Sequence, residues 1–371
     1  MSRASPWRES RASTRRRPAA CASTSTPSTR TSPSPRSTTC PSARSGCATA
    51  PRPSSPWSSS RRPDAAPPSA LAEPLYVVFN PQSGKGRGGR LVRPVLEALS
   101  AGGASAEHGQ TSRAGEEAEL ARAAVARGFR TIVAVGGDGT WSNVGSALIR
   151  SGRPVRLGLV PAGTGCDLAK SLGIPGGDVA ACARIILAGH SRTIDVGRVL
   201  PDDRYFLNVA GFGYDIAVIE DSWNVRWLGG SALYLYCALR QIHRFPGFPV
   251  EMAAEGEAPV RRELLMLVVA NARVFGGGFR IAPGADLADG ALDASAFANM
   301  GVLRRLQTLV RLLRGTHLGT AEVAATRSRS FRLRFDRPPA YETDGEWNQA
   351  VAPELRIECV PRALEVLAPP E

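Results

Sequence analysis

The sequence predicts an α/β domain followed by a second, mostly antiparallel β domain, with a disordered tail ahead of both. Three observations carry this. Between Pro74 and about residue 200, short apolar runs alternate with helical patterns, and several runs end in glycine-rich turns. Beyond residue 200 strand-like runs dominate, at 205–209, 263–270, 331–335 and 355–359, interrupted by only two long helical patterns, near 228–243 and 302–314. Residues 1–73 are built mainly of Arg, Ser, Thr, Pro and Ala and show no apolar period. The expected boundaries are a tail over 1–73, an α/β domain over 74–200 and a β-rich domain over 201–360.

The tail also explains the charge. The chain of 371 residues carries a formal +13, yet residues 1–70 hold twelve arginines against only Glu9 and Asp64, so the remainder is nearly neutral. A nucleic-acid partner is therefore not expected. A segment so poor in aliphatic residues buries too little surface to offset the entropy of ordering. It reads as disordered, or as leader translated ahead of the true start. It has neither the apolar stretch of a secretory signal nor the amphipathic period of a transit peptide. No stretch of the chain is long and apolar enough to read as a membrane-spanning helix. The seven cysteines form no CxxC pair and lack histidines at ligand spacing, which argues against a zinc site or a disulfide framework.

In the α/β part, Leu75-Tyr76-Val77-Val78-Phe79 is a strand running into Asn80-Pro81-Gln82-Ser83-Gly84-Lys85-Gly86. Glu116 to Arg127 reads as a helix, 131–135 as a strand, Trp141 to Arg150 as a helix, 157–160 as a strand and Asp178 to Ala188 as a helix. Ligands of such parallel sheets sit at the carboxyl ends of the strands, where these glycine-rich turns fall. Gly136-Gly137-Asp138-Gly139-Thr140 lies between a buried-type strand and a helix. Glycines permit close approach, the helix start presents free N–H groups to an anion, and Asp138 can orient a metal or a donor network. A side chain at Gly137 or Gly139 is expected to intrude on phosphate. The third turn, Pro161-Ala162-Gly163-Thr164-Gly165-Cys166-Asp167, repeats the pattern. Three such turns on successive strands point to a nucleotide triphosphate. The Walker A spacing is absent.

These segments resemble the diacylglycerol kinase catalytic family of bacterial lipid kinases, diacylglycerol kinases and sphingosine kinases. The matching pieces are NPQSGKG at 80–86, GGDGT at 136–140, GTGCDLA at 163–169, FLNVAGFGYD at 206–215, NARVFGGGFRIAPGADLADGALD at 271–293 and TDGEW at 343–347. The resemblance covers about 74–365. It implies ATP-dependent phosphorylation of a lipid hydroxyl, with diacylglycerol the leading acceptor and a sphingoid base or phosphatidylglycerol as alternatives. It implies a β-sandwich-like second domain, a chain end (361–371) that returns to the first domain, and ATP bound in the cleft. The nucleotide would meet Asn80, Pro81, Ser83, Gly84, Lys85, Thr111, Gly136, Gly137, Asp138, Gly139, Thr140, Gly163, Thr164 and Asp167. Glu346 would be the general base, working with Asp138. Asp286, Asp289 and the carbonyl of Ala291 would hold a structural Mg²⁺, and a second Mg²⁺ would travel with ATP. The expected location is cytoplasmic and peripheral to an anionic membrane surface, and a homodimer is admitted.

One departure stands out. Similar members usually carry Asn where this chain has Cys166, and a thiol cannot replace an amide as a donor. That leaves open a nucleotide-binding protein with weakened catalysis. NAD kinases also use GGDGT, so a soluble acceptor is the other alternative. On the lipid side, residues 223–244 combine apolar and basic residues. Helix 302–314 has Arg304, Arg305, Gln307, Thr308, Arg311 and Arg314 on one side, with Val302, Leu306, Leu309 and Leu313 on the other. Both segments could touch an anionic membrane surface, whereas ordinary packing would bury the apolar side of 302–314 and solvate the basic one.

Overall fold

The computed structural model describes residues 73–370, apart from Ala114, Arg226, Gly229 and Gly230. The expected tail, except for Glu73, lies outside the described residues.

Four strands, β1 (Leu75–Phe79), β2 (Ala106–Gln110), β3 (Thr131–Gly136) and β4 (Arg156–Pro161), pair in parallel in the order β2-β1-β3-β4. Their register sets Phe79 beside Val135, and Val135 beside Val160, so the three glycine-rich turns leave one edge at one level. Helices α1 (Ser83–Ala101) and α5 (Val179–Ala188) pack together, as do α2 (Glu116–Ala126) and α3 (Asp138–Ser151). A short helix α4 (Asp167–Ser171) follows the third turn. β1 and β3 are buried along their whole length because both of their faces are covered, whereas the edge strand β2 carries Glu107, His108 and Gln110 and is largely exposed. Trp141 is fully buried, and its indole N–H donates to the Ala134 carbonyl at 3.1 Å.

The rest is antiparallel apart from one junction. It comprises β5 (Ser191–Leu200), β6 (Arg204–Phe206), β7 (Val209–Gly213), β8 (Phe248–Ala254), β9 (Val260–Ala270), β10 (Leu292–Ala298), β11 (Val323–Ser328), β12 (Ser330–Arg334), β13 (Ala340–Thr343), β14 (Glu346–Gln349) and β15 (Glu354–Leu367). Helices α6 (Tyr214–Ser222), α7 (Ser231–Gln241) and α8 (Val302–Arg314) lie between them in the chain. β9 is central. Leu264, Leu267 and Val269 join one core, and Leu265, Met266, Val268 and Ala270 join another, so both faces are dry. β15 pairs with β12 and β5, then runs parallel to β4 through Glu365↔Arg156 and Val366↔Leu157. It thereby ties the two regions into one hydrogen-bonded sheet.

Two expectations are corrected. Residues 205–209 do not form one strand: β6 ends at Phe206 and β7 begins at Val209. The N–H groups of Leu207, Asn208 and Val209 donate to the Asp344 carboxylate at 2.7–3.1 Å instead of to a ladder. The second correction is α8: most of its basic side is solvated as expected, but its apolar side is solvated too. Arg305, Thr308 and Leu312 are buried, while Val302, Leu303, Leu306, Val310 and Leu313 are exposed.

Candidate active site

The three turns meet over the sheet edge. Gly84 is in the left-handed region at φ +57°, and a Cβ there would lie 1.9 Å from the Ala162 carbonyl oxygen. Gly137 and Gly163 touch backbone to backbone: a Cβ on Gly137 would lie 3.1 Å from the Gly163 Cα. Lys85 and Gly86 continue the left-handed path at φ 59° and 83°, inside the start of α1. Successive N–H groups in such a path form an anion-binding concavity. Asn80 organises this region rather than facing outward. Its side-chain N–H donates to Glu117 Oε1 at 2.8 Å and to Thr140 Oγ1 at 3.3 Å, and its Oδ1 accepts from the Gln82 N–H. Thr140 is thus buried against Asn80. Thr111, also buried, donates its N–H to the Phe79 carbonyl and sits beside the end of β1. Pro81 and Ser83 lie in the first turn, and Thr164 is exposed in the third.

Asp138 connects the two regions. Its Oδ1 accepts from the Leu168 N–H and from Asn208 Nδ2, each at 3.1 Å. Burial, and then the charge of nearby Asp167, raise its pKa. Both carboxylates lie close to Gly165: a Cβ there would be 3.1 Å from Asp138 Oδ2 and 3.5 Å from Asp167 Oδ2. Asp167 in turn accepts from Lys170 Nζ at 2.9 Å and from the Gly277 N–H at 2.8 Å, so the triple-glycine segment closes onto the third turn.

Glu346 arrives from the second region. Asp344 and Gly345, at φ 51° and 86°, form the two-residue turn between β13 and β14, with Thr343 paired to Glu346. Two positive φ values are what a tight Asp-Gly hairpin requires. Asp344 is not a second base here. It is buried, grips three N–H groups, and its pKa is pushed up to about 6 by burial. The turn holds the Glu346 carboxylate against the start of α3, where Oε1 lies 2.5 Å from the site of a Cβ on Gly139. The missing side chain of Gly139 thus makes room for Glu346. Partial desolvation, and then the Glu117 charge, raise the Glu346 pKa. Behind the turn, Glu342 and Asp215 face each other across Gly211, with Glu342 Oε1 and Asp215 Oδ2 buried and unpartnered. Burial raises both, and the Asp215 charge raises Glu342 further, so this pair retains a proton.

Cys166 occupies a left-handed position, φ 55° and ψ 46°, at the start of α4. Asn tolerates that conformation and most residues do not. Burial pushes the thiol up to about 12, and its Sγ lies 4.0 Å from the Gly136 carbonyl, so it fills space as a neutral group.

Asp286, Asp289 and Ala291 lie on a separate loop before β10. Asp286 Oδ1 accepts from the Ala288 N–H and Asp289 Oδ1 from the Ala291 N–H, each at 3.0 Å, and Asp289 is ion-paired with Arg327. Among the described residues no three His, Cys, Asp or Glu side chains cluster to hold a metal. As it stands the loop does not fit a cation, because Arg327 already neutralises Asp289. Asp138 and Asp167 lie close enough that a dication would relieve their repulsion, but Asp167 is likewise ion-paired, with Lys170, which such an ion would have to displace.

Several contributors are not apparent from sequence alone. Glu117 looks like an ordinary residue of a helix's first turn, yet it is buried against Asn80. Asn208 lies within a recognised motif, but its bridge from Asp138 to Asp344 is visible only in the fold. Trp347 stacks edge-on with Trp223 at 5.7 Å and donates to Glu220. An exposed apolar surface, made by Trp223 and Trp227 between α6 and α7 and by Leu235 and Leu239 of α7, therefore begins beside Glu346.

A glycine-rich sheet edge facing a carboxylate from the antiparallel region is an arrangement that suits phosphoryl transfer. Comparison with known proteins specifies the family. Residues 74–199 match the diacylglycerol kinase catalytic domain, and 208–368 match the YegS C-terminal NAD kinase β-sandwich-like domain. A diacylglycerol kinase of Mycobacterium tuberculosis is 31% identical over 298 residues, spanning 80% of this chain and 95% of that one. A YegS-like lipid kinase of Pseudomonas aeruginosa is 33% identical over 296 residues, spanning 77% and 92%. The crystal structure of a diacylglycerol kinase from Bacillus anthracis superposes with a TM-score of 0.62 at 19% identity, covering 80% of this chain and 97% of that one, a likeness of fold. The chain belongs to the diacylglycerol kinase family and is a lipid kinase of that family. Among the described residues no helix is long and apolar enough to cross a membrane.

Proposed function

We propose that the enzyme transfers the γ-phosphoryl group of ATP to the free hydroxyl of diacylglycerol, giving phosphatidic acid and ADP. The observation that carries this reading is Glu346, held between the GGDGT turn and the exposed aromatic surface between α6 and α7. The three turns bind the phosphates through backbone N–H groups, with Ser83 and Lys85 at the first turn. Asp138 and Asp167 would hold the Mg²⁺ that accompanies ATP, which neutralises charge on the phosphates. Glu346 accepts the acceptor hydroxyl's proton as the oxygen bonds to phosphorus and the bond to ADP breaks. The acceptor's acyl chains lie toward Trp223 and its neighbours. A structural Mg²⁺ at Asp289 would require release of Arg327.

Radiolabelled ATP with a panel of diacylglycerol, sphingosine, phosphatidylglycerol and NAD tests the assignment. Labelled phosphatidic acid is expected. Label on NAD alone would move the enzyme to a soluble acceptor, and ATP binding without any labelled product would make it a nucleotide-binding protein.

A further inference from the structure

Helix α8 carries five exposed apolar side chains on one stripe: Val302, Leu303, Leu306, Val310 and Leu313, with Leu303 69% and Leu313 53% accessible. An amphipathic helix on a globular protein normally turns that stripe inward. Here polar bonds hold it outward. The buried Arg305 donates through Nε to the Met300 carbonyl, through Nη1 to the Ile242 and Phe245 carbonyls, and through Nη2 to Asn299 Oδ1, all at 2.7–2.8 Å. The Arg280 N–H donates to the Leu312 carbonyl at the other end. The guanidinium also ties α8 to the segment that follows α7, where His243 and Arg244 are exposed.

We propose that the outward stripe of α8 inserts into the interface of an anionic membrane. The charge pattern selects this occupant. α8 contains no acidic residue, and Arg311 and Arg314 line one border of the stripe together with Arg304, which is ion-paired with Glu322. A thirteen-residue helix is about 20 Å long, enough to lie in a headgroup layer and too short to span one. A second copy docked antiparallel about a twofold axis would set these arginines against their own kind. The proposal rests on the reading that the acceptor is a membrane lipid, and it assigns the element that brings the enzyme to it.

The test is co-sedimentation of the full chain with vesicles of phosphatidylcholine and phosphatidylglycerol. The Leu303→Glu/Val310→Glu variant should lose at least about tenfold in vesicle affinity. Its melting temperature and its rate on short-chain diacylglycerol dispersed as monomers should not change. The Arg311→Glu/Arg314→Glu variant, whose changes are all on the surface, should lose its preference for anionic over purely phosphatidylcholine vesicles. Equal vesicle binding by all three proteins overturns the proposal. So does a wild-type dimer that becomes monomeric in the Leu303→Glu/Val310→Glu variant, which would make the stripe an interface between copies. Vesicle binding lost as expected, in a chain that phosphorylates no lipid, would remove the acceptor assignment and leave the surface standing. Normal turnover of dispersed diacylglycerol without vesicle binding would do the reverse.

Discussion

Glu346 stands at the start of β14, immediately after a turn that aims it at the GGDGT loop. Glu346→Gln keeps its size and removes the proton acceptor, so kcat should fall about 10²–10⁴-fold with ATP affinity nearly unchanged. Near-normal kcat would end its role as base. Because its pKa is raised by desolvation and by Glu117, the acid limb of the wild-type rate profile should lie above the ordinary carboxylate range. Cys166 raises a different issue. Its left-handed backbone favours Asn whether or not an amide meets phosphate. Cys166→Asn should therefore add about 0.5–1 kcal/mol of stability, read as a rise in Tm, with turnover equal or higher. A fall in both would mean that the pocket has adapted to the thiol.

At the scale of elements, the glycines of the second turn separate two functions. A Cβ on Gly139 meets the mobile end of Glu346, so Gly139→Ala should lower kcat more than ATP affinity. A Cβ on Gly137 meets the Gly163 backbone, so Gly137→Ala should part the nucleotide turns and raise the ATP Kd. Steady-state kinetics together with nucleotide titration distinguish the two. The loop over 286–291 makes a sharper claim. If it binds Mg²⁺ despite Arg327, the ion at a hundredfold above its Kd stabilises by about 2.7 kcal/mol, and Asp289→Asn abolishes that gain. A Tm that does not respond to Mg²⁺ in the wild type would leave the loop as an ion-paired turn. In α8, Arg305→Met strands the carbonyls that the guanidinium satisfied. It should cost about 2–4 kcal/mol, seen in denaturant unfolding.

Across the whole molecule, buried acids line the junction of the two regions. Burial lifts Asp344 to about 6 and Asp215 to about 7, and lifts Glu342 well above its usual value. Each holds its proton more tightly folded than unfolded. The stability so contributed is full below about pH 4 and is lost as pH rises through about 6–7. Tm should therefore decline between about pH 5 and 7.5, and Glu342→Gln should flatten the decline. A Tm that rises over that range would contradict the burial of these groups. The alternation of strands and helices and the three glycine-rich turns were legible in the sequence, because each follows from local backbone chemistry: apolar runs and glycine's access to positive φ. The same holds for the extent of α8, whose period is written in its residues. Its facing is not, because the Arg305 partners lie up to 63 residues away. Nor could sequence alone place the break at Leu207 and Asn208, since the carboxylate that captures those N–H groups comes from Asp344, 137 residues beyond Leu207. Local propensity is a property of neighbours along the chain. Which polar group satisfies a buried donor, and hence which face of a helix meets water, is settled only when distant segments are brought together.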